Sequence, residues 1–495
     1  MRSLEGILNR IEAVGNRLPD PVTLFVILIA VVFGVSALAS FADVSAVNPA
    51  TKDVVGAVNL FSSDIIRTLL VDMPKTFTGF PPLGTVLVAM IGVGVAEKSG
   101  LIAIGLASFV RKVSRPFLTS AVVFAGVMSS LAADAGYVVL IPLAGVLFAA
   151  AGRNPIAGIA AAFAGVSAGY SSNLLLTPLD ALLAGLTESS GRILEPDLTV
   201  PLTANYYLMI ALVPVFVIIG TWITDKLIEP RLSSPGFDPA PQKEQSVIAA
   251  GQARGLRWMV WTAIAFFVGV LLITLPEGAP LRGTDGGYAP FLNSLVALIS
   301  IGFLSIGIAY GVGAGTIRND KDVVDMASAS MSDMGLYLIL AFVAAHFIVL
   351  FSWSNLGIIL AIKGAEVIRG TGLSGTALVV LLVALTGFLN IFIGSASAKW
   401  ALIGPVLVPM FMLVGLAPEL TQAAYRIGDS VTNIITPLMP YFPMVLVFAR
   451  RYEKTFGVGS LIAIMLPYSV ALGIGGTIML AIWMLVGVPL GPGLG

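Results

Sequence analysis

The chain has 495 residues, of which 57% are hydrophobic and only 11% are Asp, Glu, Lys or Arg, whereas a soluble protein carries roughly 25% charged residues. Such a chain belongs in a bilayer, which removes the need to hide its apolar surface from water. It has no cysteine, a single histidine (His346), zero net charge and no Lys/Arg-rich block, which excludes disulfides, thiolate sites, a conventional His-based metal cluster and a nucleic-acid partner.

Residues 1–20 are polar, carry Arg2, Arg10 and Arg17, and lack a cleavage motif, so they are expected to remain as a cytoplasmic N-terminus. Long apolar runs then follow without strand-like alternation, which predicts membrane helices rather than barrel strands. Lys/Arg positions sort these runs by side. Residues 22–40 exit into a loop containing Asp43, Asp53, Asp64 and Asp72. Residues 82–112 return, interrupted at Glu97-Lys98-Ser99-Gly100, and end at Arg111 and Lys112. Residues 116–152 start beside Arg115 and end at Arg153, so this run enters and comes back. It is expected to be a re-entrant hairpin with its tip at residues 129–136.

Residues 155–186 exit and 202–226 return. The loop up to Arg257 contains Ser233-Ser234-Pro235-Gly236, the plausible linker between halves. Residues 258–275 exit, 290–316 return to Arg318 and Lys321, and 336–362 exit, with Lys363 and Arg369 dissenting from the charge rule. Residues 374–413 dip in from outside around Gly394-Ser395-Ala396-Ser397-Ala398 as a second hairpin. Residues 421–449 return to Arg450, Arg451 and Lys454, and 461–486 exit. The expected fold is an all-α polytopic membrane protein with nine transmembrane helices and two re-entrant hairpins. Its first repeat covers residues 1–225, a cytoplasmic linker and connecting helix covers 226–289, and the second repeat covers 290–495.

Each half places an Asn shortly before Thr-Pro-Leu: Ser171-Ser172-Asn173 to Thr177-Pro178-Leu179, and Val431-Thr432-Asn433 to Thr436-Pro437-Leu438. The hairpins open to opposite sides, so the repeats are expected to be inverted, and matched Pro-interrupted segments point to a transporter's binding site. Pro178 and Pro437 free backbone groups at membrane depth, where only a buried or cavity-lining position tolerates them. Ser130, Asn173, Ser395, Asn433 and unwound carbonyls supply the hard oxygens that a cation wants. A single Ser/Thr-Pro usually only kinks a helix. Two matched breaks, each opposite a small polar tip, favour function.

A charge at a helix centre costs roughly 2.5–3.5 kcal/mol on insertion scales, so intramembrane charges are the second signal. Asp180 follows Pro178. Arg426 and Asp429, three apart, share a helix face, and a structural ion pair is the alternative to a functional role. Asp180 and Asp429 are candidates for protonation or cation binding. Asp134 is read as a helix cap, Lys399 as snorkelling, Trp400 as a stacking or packing face, His346 as structural and Glu97-Lys98 as self-paired.

These residues resemble the AbgT family of p-aminobenzoyl-glutamate transporters. The resemblance runs from Val14-Gly15-Asn16-Arg17-Leu18-Pro19-Asp20-Pro21 through Ser171 to Asp180, Asn390 to Trp400 and Pro418 to Arg426-Ile427-Gly428-Asp429-Ser430-Val431-Thr432-Asn433. It implies a homodimer in the bacterial inner membrane, related to divalent-anion:sodium symporters, with no organic cofactor. It further implies transport of p-aminobenzoyl-glutamate or export of sulfonamide-like antimetabolites, with Asp180, Asn390, Trp400, Pro418, Arg426 and Asp429 as functional positions. Arg426 would meet a carboxylate or sulfonyl group and Trp400 an aryl ring. Asn390 and Asp429 would coordinate Na⁺, and Asp180 would hold a proton or shape the opposite site. Coupling to Na⁺ or to H⁺ stays open. So do a sodium-coupled carrier of another dicarboxylate, a channel, and an intramembrane aspartyl enzyme.

Overall fold

A computed structural model describes residues 19–47, 52–131, 136–232, 250–284 and 286–493. The N-terminal basic segment, Asp134 and the Ser233–Gly236 linker therefore lie outside the described residues. Helix α1 (Pro21–Phe41) starts where the Asp20 carboxylate accepts the Val22 amide at 2.8 Å, with Pro21 in the first helical position. A small antiparallel pair, β1 (Ser45–Val47) and β2 (Val54–Gly56), follows. Strands this short leave no alternation to detect in a sequence.

The second part of the expected acidic loop, with Asp64 and Asp72, is instead helix α2 (Ser63–Thr78), on which no residue is buried. Its charges Asp64, Arg67, Asp72 and Lys75 interrupt the apolar run and hide the helix from a hydropathy reading. Helix α3 (Pro81–Lys98) is broken at Gly100, whose φ of +89° suits glycine, and the chain continues as α4 (Leu101–Arg111). Lys98 reaches Asp333 at 2.6 Å, a distant partner that sequence adjacency to Glu97 did not suggest.

The first expected hairpin has helical arms, α5 (Leu118–Met128) and α6 (Ile141–Ala150), flanking the tip. Helix α7 (Pro155–Phe163) runs through a π turn to Ala168 and unwinds, and α8 (Pro178–Gly191) resumes at Pro178. Helix α9 (Tyr206–Ile223) continues through a π turn to Leu232, and α10 (Ala250–Leu272) packs on α11 (Leu295–Ala314), which in turn packs on α3. Helix α12 (Asp320–Asp333), which hydropathy also misses, is capped reciprocally by Asn319 and Asp322.

The second half continues with α13 (Gly335–Trp353) and α14 (Leu356–Gly370), the latter meeting α15 (Gly375–Asn390) at a bend of 118°. The second hairpin's other arm is α16 (Ala396–Leu413). Helix α17 (Pro418–Thr432) then unwinds before α18 (Phe442–Arg450), and α19 (Val458–Val486) closes the chain.

Among the described residues, eight helices are long and apolar enough to cross a membrane, or nine if the bent pair counts as one. Seven of the eight fall on expected spans. The eighth, α16, is a hairpin arm, while the expected spans 155–186 and 421–449 are each split by an unwound break. Exposed side chains such as Trp261, Leu272, Ile474 and Leu485 would aggregate in water and are accommodated by lipid. Two large buried clusters fill the interior. One joins both arms of the first hairpin to α9, α15 and α19, and the other joins α1, α8, α13 and α16. His346 in α13 sits 2.7 Å from the Phe342 carbonyl one turn back.

Candidate functional site

In the first break the Asn173 amide donates to Ser130 Oγ at 2.8 Å, while its own oxygen accepts the Leu175 amide at 2.9 Å. Helix α8 then starts on a capping box: Asp180 Oδ2 accepts from the Thr177 amide at 2.6 Å and from its hydroxyl at 2.7 Å. The local reason is that Pro178 has no N–H in need of an acceptor and Asp180, third in the helix, faces the free amides.

At the second break a hairpin residue again bonds the break's Asn, now as the donor. Asn390, the last residue of α15, donates from Nδ2 toward Asn433 Oδ1 at 2.8 Å, Thr432 Oγ1 at 2.9 Å and the Asp429 carbonyl at 2.7 Å. The two hairpin-to-break bonds, Ser130 to Asn173 and Asn390 to Asn433, span the same 43 residues. Each half also brings its hairpin's first arm against the following helix through glycine. A Cβ on Gly126 would lie 2.8 Å from Gly165 Cα, and one on Gly428 would lie 2.1 Å from Thr386 Oγ1. Small residues allow such close backbone approach in membranes.

Around the breaks, most of the buried charge among the described residues sits on α16 and α17. Lys399 Nζ lies 2.5 Å from Asp429 Oδ1, with the two side chains 0% and 2% exposed. It also donates to Asn390 Oδ1 and, at 3.2 Å, to the Ile393 carbonyl. The expected snorkelling of Lys399 is thus overturned: the side chain turns into the tip, where oxygens compensate its charge. Arg426 pairs not with Asp429 but with Asp180, Nη2 to Oδ1 at 2.6 Å, with side chains 4% and 1% exposed. The shared helix face is real, but Asp429 is already claimed by Lys399 and the longer Arg426 reaches the start of α8. Asp180 Oδ1 and Arg426 Nε nevertheless lack hydrogen-bond partners among the described residues, so the pair is a charge contact with a donor to spare.

Trp400 stacks on Tyr425, with centroids 4.4 Å apart at 24°, and its Nε1 donates to Thr187 Oγ1 at 2.9 Å. Thr187 in turn donates to Gln422 Oε1 at 2.8 Å. The Tyr425 hydroxyl lies 2.5 Å from the Ala396 carbonyl and 3.2 Å from Asp429 Oδ1. Beside this cluster lies a half-open cavity of about 660 Å³, walled by Phe25, Tyr137, Tyr170, Tyr441 and the second tip from Phe392 to Ala398. Tyr137 and Tyr441 stack at 4.2 Å, joining the first hairpin to the second break.

Residues 6–495 match the model of the AbgT putative transporter family. The chain belongs to this family. It is 34% identical over 487 residues to the p-aminobenzoyl-glutamate transport protein of Escherichia coli (strain K12), covering 98% of this chain and 96% of that one. Among solved structures it is similar to the YdaH transporter of Alcanivorax borkumensis, described as having an unusual topology, at 46% identity and a TM-score of 0.91 over 96% of this chain and all of that chain. It is also similar to Neisseria gonorrhoeae MtrF, described as illuminating a class of antimetabolite efflux pumps, at 42% identity and a TM-score of 0.93 over 99% of this chain and all of that one. The protein is therefore an integral membrane transporter and not an enzyme.

In this AbgT-family chain the residues singled out in the sequence fall into four places. Asp180, Asn390, Trp400, Arg426 and Asp429 are buried together around α8, α16 and α17. Ser395 and Asn433 line the cavity. Ser130 and Asn173 meet at the first tip, while Pro418 opens α17 about two turns before Arg426 and touches neither ion pair. Tyr425, Thr187 and Gln422 were missed; as ordinary helix residues they carry no sequence signal. Lys399 did carry one, because a basic residue inside an apolar run is expensive. A sodium ion, which the resemblance implies, would find Ser130 Oγ and unwound carbonyls at the first break, but the Asn173 oxygen there is taken by the Leu175 amide. It does not fit at Asn390 and Asp429 in this conformation, because the Lys399 ammonium already takes their oxygens.

Proposed function

We propose that the chain is an ion-coupled secondary carrier that moves p-aminobenzoyl-glutamate, exports sulfonamide-like antimetabolites, or both, across the bacterial inner membrane by alternating access. It works as a homodimer with a cytoplasmic N-terminus. Its inverted repeats cover residues 1–225 and 290–495, joined by residues 226–289. The substrate class follows from the names of the Escherichia coli and Neisseria gonorrhoeae relatives. The observation that carries the reading is the junction of Arg426 and Trp400. A buried guanidinium with an unused donor sits one residue from Tyr425, on which the indole stacks. A carboxylate or sulfonyl group suits the guanidinium, and an aryl ring suits the indole.

Trp400 and Arg426 are both buried here, so the solute reaches them only after the α16 tip separates from α8 and α17. The aromatic cavity lined by Ser395 and Asn433 is the approach. Asp180 holds the Arg426 side chain until an anionic solute displaces it, and Asp180 is then free to take a proton. At the first break, Ser130 Oγ and the unwound carbonyls would hold a monovalent cation once Asn173 turns its oxygen from the Leu175 amide to join them, and the bound cation would supply positive charge between tip and break. The matched 43-residue bonds and glycine crossings support the inverted repeat.

The deciding experiment is labelled-solute flux in proteoliposomes with Na⁺ and pH gradients imposed separately. Concentrative movement driven by either gradient is expected. Movement that only equalises concentration would favour a channel, and indifference to both gradients would remove the coupled-carrier reading. Unlabelled simple dicarboxylates that compete as well as p-aminobenzoyl-glutamate would shift the substrate to another dicarboxylate.

A further inference from the structure

Within the matched frame of the two halves, one difference stands out. At the second tip three oxygens converge, from the Asp429 carboxylate, the Asn390 amide and the Ile393 carbonyl, and the group at their centre is the Lys399 ammonium. The Tyr425 ring lies 5.8 Å from the same nitrogen. The sequence of the first hairpin offers no basic counterpart at its tip. The residue nine positions beyond Asn390 is Lys399, whereas nine positions beyond Ser130 is Val139, and residues 129–151 contain no Lys or Arg.

We propose that Lys399 is a tethered cation. Its ammonium occupies the Asp429–Asn390 oxygen set and excludes a free monovalent cation from the second half, while the first half must draw its cation from solution. Carboxylate, amide and carbonyl oxygens satisfy an ammonium and an alkali ion by the same chemistry. The single negative charge of Asp429 is balanced by one buried positive charge, and a second would stand beside Lys399 uncompensated. Lys399 also has nowhere else to go, since its side chain is wholly enclosed. The cation selectivity of the carrier would then be decided at one tip rather than two. The inference rests on the reading of the tips as cation-seeking, and it is independent of which solute is carried.

The test uses purified full-length protein in detergent. Unfolding temperature is followed while NaCl replaces choline chloride at constant ionic strength. Asn173→Ala removes the response of the first half. Lys399→Met in that background is expected to gain a Na⁺-specific stabilisation, and adding Asp429→Asn is expected to abolish it. Affinity for Na⁺ at the Asp429 set should rise at least ~10-fold, because a tethered competitor acts at an effective concentration of roughly millimolar or more. Recovery of Lys399→Met only when Na⁺ is present throughout purification would support the same conclusion. A Lys399→Met protein as indifferent to Na⁺ as its parent overturns the proposal. So does a parent that already shows an Asp429-dependent response.

Should the Lys399 variants not fold, radiolabelled Na⁺ binding to the otherwise unmodified chain decides. Binding unchanged by Asp429→Leu is expected, and binding that depends on Asp429 overturns the proposal. None of these measurements involves flux, so failure here and failure of the carrier reading are separate results.

Discussion

Arg426 and Asp180 meet at 2.6 Å in the protein interior, tying the middle of α17 to the first turn of α8. Two helices from opposite halves of the chain are thereby held at the point where the first break ends. The guanidinium that would greet an anionic solute is neutralised by a carboxylate that also caps its own helix.

Asp180→Ala strands that guanidinium. Removing one partner from a buried pair costs about 3–5 kcal/mol, so the unfolding temperature in detergent should drop steeply and flux should be lost. Replacing both partners, Asp180→Leu with Arg426→Met, should restore most of the stability without restoring flux. Flux that returned in the double variant would make the pair structural only.

Trp400 offers two separable contacts, the Tyr425 stack and the indole bond to Thr187. Trp400→Phe keeps a ring and loses a neutral hydrogen bond, at a stability cost of about 0.5–1.5 kcal/mol. It should raise KM for the aminobenzoyl solute while flux persists, whereas Trp400→Ala should remove flux. Equal KM in wild type and both variants would place the aryl ring elsewhere.

Gly428 is the contact through which α17 lies against α15. A Cβ there would sit 2.1 Å from Thr386 Oγ1 and 2.2 Å from the Val383 carbonyl. Gly428→Ala should therefore destabilise by about 1–3 kcal/mol or more through overpacking. Adding Thr386→Ala should recover only part of the loss, because the backbone carbonyl cannot be trimmed away. Thermal unfolding of the single and double variants reads this directly.

Arg153, at the end of the first hairpin, binds Glu229 at 2.5 Å, Asp225 at 2.6 Å and the Thr119 hydroxyl at 2.7 Å. It fastens both ends of that hairpin to the continuation of α9. Hydrogen bonds to charged groups contribute about 1.5–3 kcal/mol each, so Arg153→Gln should speed amide hydrogen exchange across α5 while leaving α16 unchanged. Unaltered exchange in α5 would mean that packing alone holds the arm.

Much of this site is readable from local chemistry. The two Asn-to-Pro breaks, the polar hairpin tips and the charges within apolar runs are consequences of proline geometry and desolvation, which act residue by residue. Helices α2 and α12 escaped because their charges dilute the hydropathy on which the reading depends. The Asn319–Asp322 capping box was the signal that could have found α12. Tyr425, Thr187 and Gln422 had no such signal.

The sequence by itself determined that the chain is a helical membrane protein, where its spans break and which buried charges need partners. Only the tertiary structure decided the partners: Arg426 with Asp180, and Asp429 with Lys399. Spacing along one helix says which side chains share a face, but not what the opposing helix presents to that face. In a low-dielectric interior each buried charge goes to the partner that packing brings within reach, and packing is set by contacts far apart in the chain.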